Sequence, residues 1–145
     1  LIFPTTGGGQ GINHSPELTY GTFAVGDVCI SEPGSVRIIR VEPVNAEGGA
    51  TFTDFSVYSF NEMVEYRLNT HDRLRTVAHF SGGNQVTYEC GPDLPIQSLA
   101  LELHKPNPRK SAVAREFRIV YESGGETRTL QVPWRTSICN GDPCA

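Results

Sequence analysis

The chain has 145 residues, enough for one domain that closes a core without help from a metal. Hydrophobic residues make up 38% and charged residues 19%, which excludes a disordered tail. The formal net charge of -4, with Lys and Arg scattered singly, leaves no basic stripe for phosphate, so nucleic acid is not an expected partner. No run approaches the ~20 apolar residues that span a bilayer as a helix.

The opening Leu1-Ile2-Phe3 carries no Met, as a mature or trimmed exported product would. Residues 1–17, with Pro4-Thr5-Thr6-Gly7-Gly8-Gly9-Gln10-Gly11, offer few side chains for a core and predict a flexible tether. Residues 18–145 then predict a single β domain. Its first strand covers residues 18–25 and resumes at 28–30. Glu32-Pro33-Gly34-Ser35 is a turn, because Pro fixes φ and Gly takes it positive. In residues 36–41, Val36, Ile38, Ile39 and Val41 do not alternate cleanly, which predicts a bulge or burial on both faces. After Glu47-Gly48-Gly49, residues 51–60 form a strand with Phe55 and Val57 on one face, Tyr58 and Phe60 on the other, and Phe52 one bulge away.

Residues 61–74 read as a long connection. Residues 76–80 and 85–90 read as a short hairpin around Ser81-Gly82-Gly83-Asn84, and Gly91-Pro92-Asp93-Leu94-Pro95 breaks pairing. Leu99, Leu101 and Leu103 alternate along a half-buried strand, followed by the basic loop of residues 105–110. Phe117, Ile119 and Tyr121 share a face before Gly124-Gly125, and Leu130, Val132 and Trp134 share one after it. That is a hairpin with a primed turn, Trp134 in the core and an edge or bulge at Pro133. About eight strands at this spacing predict an all-β antiparallel sandwich or barrel.

Cys29, Cys90, Cys139 and Cys144 form an even set without a Cys-x-x-Cys pair, and His14, His71, His79 and His104 are not spaced near them as zinc ligands. Disulfides and an oxidising compartment follow. With adjacent antiparallel strands, Cys90 and the end of the last strand sit at opposite poles, some ~25 Å apart at ~3.3 Å per residue. A disulfide needs Cα atoms within ~7 Å. The expected pairing is Cys29–Cys90 with Cys139–Cys144.

No motif announces chemistry. Ser81-Gly82-Gly83 and Ser123-Gly124-Gly125 read as turns rather than nucleophile elbows. His71-Asp72 lies in the irregular connection, and Asn140-Gly141-Asp142 is only a fragment of a calcium loop. Asn13-His14-Ser15 matches a glycosylation sequon. No catalytic residue, metal or cofactor is expected. Tyr58, Phe60, Tyr66 and Tyr88 are the candidate ligand surface, as an aromatic platform for a sugar or a protein.

Asp27-Val28-Cys29-Ile30, Pro33-Gly34-Ser35-Val36, Val41-Glu42-Pro43-Val44, Thr53-Asp54-Phe55-Ser56-Val57, Val120-Tyr121-Glu122-Ser123-Gly124-Gly125 and a terminal Val132-Pro133 strand ending in Cys139 form a pattern of turns and core positions. Over residues 26–139 this pattern resembles secreted or lipoprotein-like β-sandwich proteins of Gram-positive bacteria. The resemblance implies an immunoglobulin-like, extracytoplasmic domain and carries no catalytic residues. The expected function is a non-enzymatic secreted or cell-surface module for binding or surface structure. Its partner would be an extracellular protein or glycan, met through the loops of residues 61–74 and 105–112. A carbohydrate-binding accessory domain and a subunit that self-associates through edge strands are the alternatives.

Overall fold

A computed structural model describes residues 1–4, 7–14, 19–60, 69–77, 83–91 and 96–140. The chain is all-β, with two sheets closing on one core. The described residues form ten strands: β1 (Gly8–His14), β2 (Tyr20–Val28), β3 (Val36–Glu47), β4 (Thr51–Phe60), β5 (Asn69–Thr70), β6 (Gln85–Val86), β7 (Ile96–His104), β8 (Ala112–Ser123), β9 (Glu126–Val132) and β10 (Trp134–Asn140). One sheet runs β4-β7-β2-β5. The other runs β1-β10-β8-β3-β6, with β9 also on β8.

The β8–β9 hairpin forms as the sequence predicts. Gly124 and Gly125 turn the chain at φ 59° and 81°, which a primed two-residue turn requires. Phe117 then faces Val132 and Ile119 faces Leu130. Pro133 ends β9, and β10 continues along the same edge of β8 one residue out of step, from Phe117↔Val132 to Ala114↔Thr136. The missing proline donor is thus absorbed in a bulge. The expected irregularities in β3 and β4 also appear, between Ile38 and Arg40 and between Phe52 and Asp54.

Phe23, Leu99, Leu101, Leu103, Phe117, Ile119 and Ile138 are fully buried between the sheets. Each such side chain contributes roughly 1.5–3 kcal/mol by leaving water. Trp134 packs against this cluster but is half-buried at its edge. Cys29 and Cys90 form a disulfide, Cα atoms 4.9 Å apart, across 61 residues of chain. Closing a loop of that length stabilises the fold by about 4 kcal/mol in the chain-entropy account. The expected Cys139–Cys144 bond ends at Cys144, outside the described residues.

Three expectations need correction. The glycine-rich segment read as a tether contains β1, which pairs in parallel with β10 from Gly8↔Trp134 to His14↔Asn140. Glycine has low strand propensity, but the backbones here approach too closely for most side chains: a Cβ on Gly9 would lie 2.7 Å from the Arg135 carbonyl oxygen. Upstream, Ile2 exchanges backbone hydrogen bonds of 2.8 and 3.0 Å with Cys29. The strand read at residues 76–80 starts instead in a 3-10 turn over Leu74–Thr76, its later part lying outside the described residues. The segment after it pairs with β3 through Val36↔Val86 and Arg37↔Gln85, so it does not return along residues 76–77.

Candidate functional site

Of the expected aromatic platform, the side chains of Tyr58 and Tyr88 are described. Tyr58 is buried on the outer face of β4 with Leu74 and Ala100. Its hydroxyl is hydrogen-bonded to Ser98, which in turn donates to Asp27 Oδ1 at 2.6 Å. Burial pushes the Tyr58 phenol up to about 12. Tyr88 is half-buried beside the Cys29–Cys90 bond, lining a 110 Å³ hollow with Asp27, Glu89 and Gln97. The side chain of Phe60 and all of Tyr66 lie outside the described residues. Gln97 stitches this region together: its Oε1 accepts from Thr87 and Tyr88 N–H at 2.7 and 3.1 Å, and its Nε2 donates to the Gln85 carbonyl at 3.0 Å.

The connection read as a surface loop also behaves differently. Asn69–Thr70 pair with the edge of β2, and residues 71–77 that follow fold over the outer face of the β4-β7-β2 sheet. Leu74 is fully buried there. Beneath it Glu102 has a side chain only 1% exposed. Its Oε2 accepts the Leu74 N–H at 2.7 Å, and its Oε1 accepts Thr53 Oγ1 at 2.7 Å and Arg73 Nε at 3.0 Å. Burial alone would raise the Glu102 pKa. The bonds from Arg73, Thr53 and Leu74 outweigh it and hold the carboxyl below its usual range. Arg73 also stacks 3.9 Å over the Tyr20 ring, which stacks on His104 at 4.7 Å. Thr22 Oγ1 donates to the Asp72 carbonyl at 2.6 Å. This is a clasp whose polar groups satisfy one another. His71 and Asp72 sit on its exposed side, 3.9 Å apart.

The second expected surface, the basic loop after β7, carries a buried amine. Lys105 is fully buried and donates to the Pro108 carbonyl at 2.9 Å, and burial lowers its pKa. Arg109 and Lys110 remain exposed.

A further open concavity lies away from both expected loops. It is a cleft of 630 Å³ at the pole where the β2–β3 connection meets the β8–β9 turn. Ser31, Glu32 and Ser35 face it from one side; Tyr121, Ser123 and Arg128 face it from the other. Both walls rest on paired strands. Val36 starts β3 and is buried, while Tyr121 is 8% exposed and anchored in the core. Arg128 holds Glu126 at 2.9 Å on the rim, with both side chains well exposed. The cleft therefore offers hydroxyl donors and acceptors, one carboxylate and one guanidinium on a rigid base. That set recognises a polar ligand by hydrogen bonds. Pro33-Gly34 and Gly124-Gly125 were legible in the sequence as turns, but nothing local says that two turns so far apart in sequence share a pole.

Among the described residues no helix is long and apolar enough to cross a membrane. No family model, curated protein or solved structure matches the chain.

Proposed function

We propose that this chain is a non-enzymatic, extracytoplasmic binding module of the immunoglobulin-like kind, and that the cleft between the β2–β3 and β8–β9 connections holds its ligand. The strand order supports the fold reading. The Ile2 segment, β2, β7 and β4 follow one another as strands A, B, E and D do in an immunoglobulin sandwich, and β3, β8 and β9–β10 follow as C, F and G. The disulfide departs from that pattern: it ties the end of β2 to the segment before β7 rather than to β8. On this mapping the cleft lies between the B–C and F–G loops, the end at which variable domains carry their recognition loops. The carrying observation is the cleft itself, polar, open and built from two turns on a rigid scaffold. The Cys29–Cys90 bond suits an oxidising compartment. So does the resemblance to secreted proteins of Gram-positive bacteria.

Amide chemical shifts of the isotope-labelled chain, titrated with a panel of soluble glycans and cell-envelope extracts, test this. The expected result is saturable shifts at residues 31–36 and 121–128, abolished by Arg128→Ala combined with Glu32→Ala. Shifts confined to the Tyr88 hollow or to residues 69–77 would place the ligand elsewhere and overturn the assignment.

A further inference from the structure

The seam between β1 and β10 is built unlike the rest of the molecule. β1 is a glycine-rich edge strand pairing in parallel, and Ile12, 6% exposed, is its only buried apolar residue. Glycine loses more conformational freedom than any other residue when it is fixed in a strand, so such a strand is held weakly. The seam also leaves polar groups unsatisfied. Among the described residues three buried side-chain atoms lack a hydrogen-bond partner: Gln10 Oε1, Trp134 Nε1 and Thr136 Oγ1. All three lie here, with Gln10 opposite Thr136 and Trp134 opposite Gly8. Buried polar atoms without protein partners are uncommon in folded proteins, and each weakens the hold of the seam it lies in.

The same seam is demanding about what fills it. A Cβ would meet the Trp134 ring at 2.9 Å from Gly8, the Arg135 carbonyl oxygen at 2.7 Å from Gly9, and Ser137 Oγ at 2.7 Å from Gly11. One face of the incoming strand must then place an isoleucine beside Ile138. The edge of β10 thus requires glycine at Gly9, where the contact is with backbone, and at Gly8, where φ is 125°, favours it at Gly11, where the Ser137 hydroxyl would have to turn aside, and takes a branched apolar residue at Ile12. The pattern Gly-Gly-x-Gly-Ile is the one this chain carries in β1.

We propose that β1 is an exchangeable strand, and that the edge of β10 vacated by it accepts the β1 of a second copy of this chain. Loose hold and strict selectivity together give this result. The native strand leaves easily, and few sequences other than its own fit the place it leaves. The inference stands apart from the ligand cleft, which lies between other strands.

Three readouts on the full chain test it. In native-state hydrogen exchange, amides of β1 should exchange roughly a hundredfold faster than those of β8. A labelled peptide of residues 8–14 should bind the full chain saturably. The same peptide with Gly9→Val and Gly11→Val should bind roughly tenfold more weakly or worse, because the seam has no room for the added side chains. Light scattering after incubation at high concentration should show a dimer, which an excess of the native peptide suppresses. Equal protection of β1 and β8, or equal binding of the two peptides, would overturn exchange at this seam. Peptide binding by a chain that stays monomeric at every concentration would overturn the second copy as its occupant.

Discussion

The outer faces of the two sheets meet water differently. On the β3-β8-β9 face, charged side chains pair at the surface, across β3 and β8 and along β3: Arg37 with Glu122 at 3.3 Å, Glu42 with Arg40 at 2.6 Å and with Arg118 at 3.4 Å, and Arg115 with Glu47 at 2.8 Å. On the β4-β7-β2 face, residues 71–77 lie over the strands, and the positions that would otherwise be solvated hold Ser56, Ser98, Ala100 and Glu102, all buried. A carboxylate pointing away from the core is thus a surface ornament on one sheet and a buried anchor on the other. The neighbours decide which: Glu122 has one exposed arginine, whereas Glu102 has Arg73, Thr53 and a backbone N–H from the covering segment.

Removing the anchor should give the largest effect. Glu102→Ala leaves the Leu74 N–H unmet and the Arg73 guanidinium without its buried acceptor. Breaking a buried charged site in this way costs about 3–5 kcal/mol. The midpoint of urea unfolding should fall accordingly, and the Leu74 amide should lose its protection before those of β8. Glu102→Gln, which keeps an acceptor oxygen, should retain part of the loss. An unfolding midpoint unchanged in Glu102→Ala would show that residues 69–77 are held by Leu74 burial alone.

Acid should loosen the same face more gently. The Glu102 carboxyl is held below its usual range in the folded state. Its contribution is therefore fully present above the unfolded value of about 4.3 and is lost as pH falls through the lower, folded value. The groups facing it are Arg73, Thr53 and the Leu74 N–H, with Tyr20 and Asp54 acting through Arg73, and the cation among them stays charged throughout. Hydrogen exchange followed downward from pH 5 should show Leu74 losing protection while Phe117 and Ile119 keep theirs. Simultaneous loss in both regions would show that the clasp is not an independent unit.

Much of this was legible in the sequence where the signal was local. The period of two in Leu99, Leu101 and Leu103, the Gly124-Gly125 turn and the bulges near Ile39 and Phe52 all follow from a residue and its near neighbours, and the Cys29–Cys90 pairing follows from the lengths of the strands read between the cysteines. What escaped depends on contacts remote in sequence. Glu102 lies in phase with Ser98 and Ala100 and reads as an outward residue. Its burial comes from residues 71–77, which carry only two apolar residues, Leu74 and Val77, among polar ones to betray docking. Tyr58 was assigned the correct face of its strand, and the same segment buries it there. The glycines of β1 argue for a tether until the closeness of β10 is known.

The exposed face supplies the smallest and most discriminating prediction. Arg37 and Glu122 face each other across β3 and β8 with side chains 50% and 43% exposed. Water screens such a pair, and ordering two long side chains offsets most of the attraction. A double-mutant cycle of Arg37→Ala and Glu122→Ala should give a coupling of about 0.5 kcal/mol or less, vanishing in 1 M salt, where the screening length is ~3 Å. The same cycle across Arg73 and Glu102 should give a larger coupling that survives salt, because one partner there has left water. If the two couplings agree in size and in salt response, the covering segment does not change the dielectric beneath it, and burial would not be what separates the two faces.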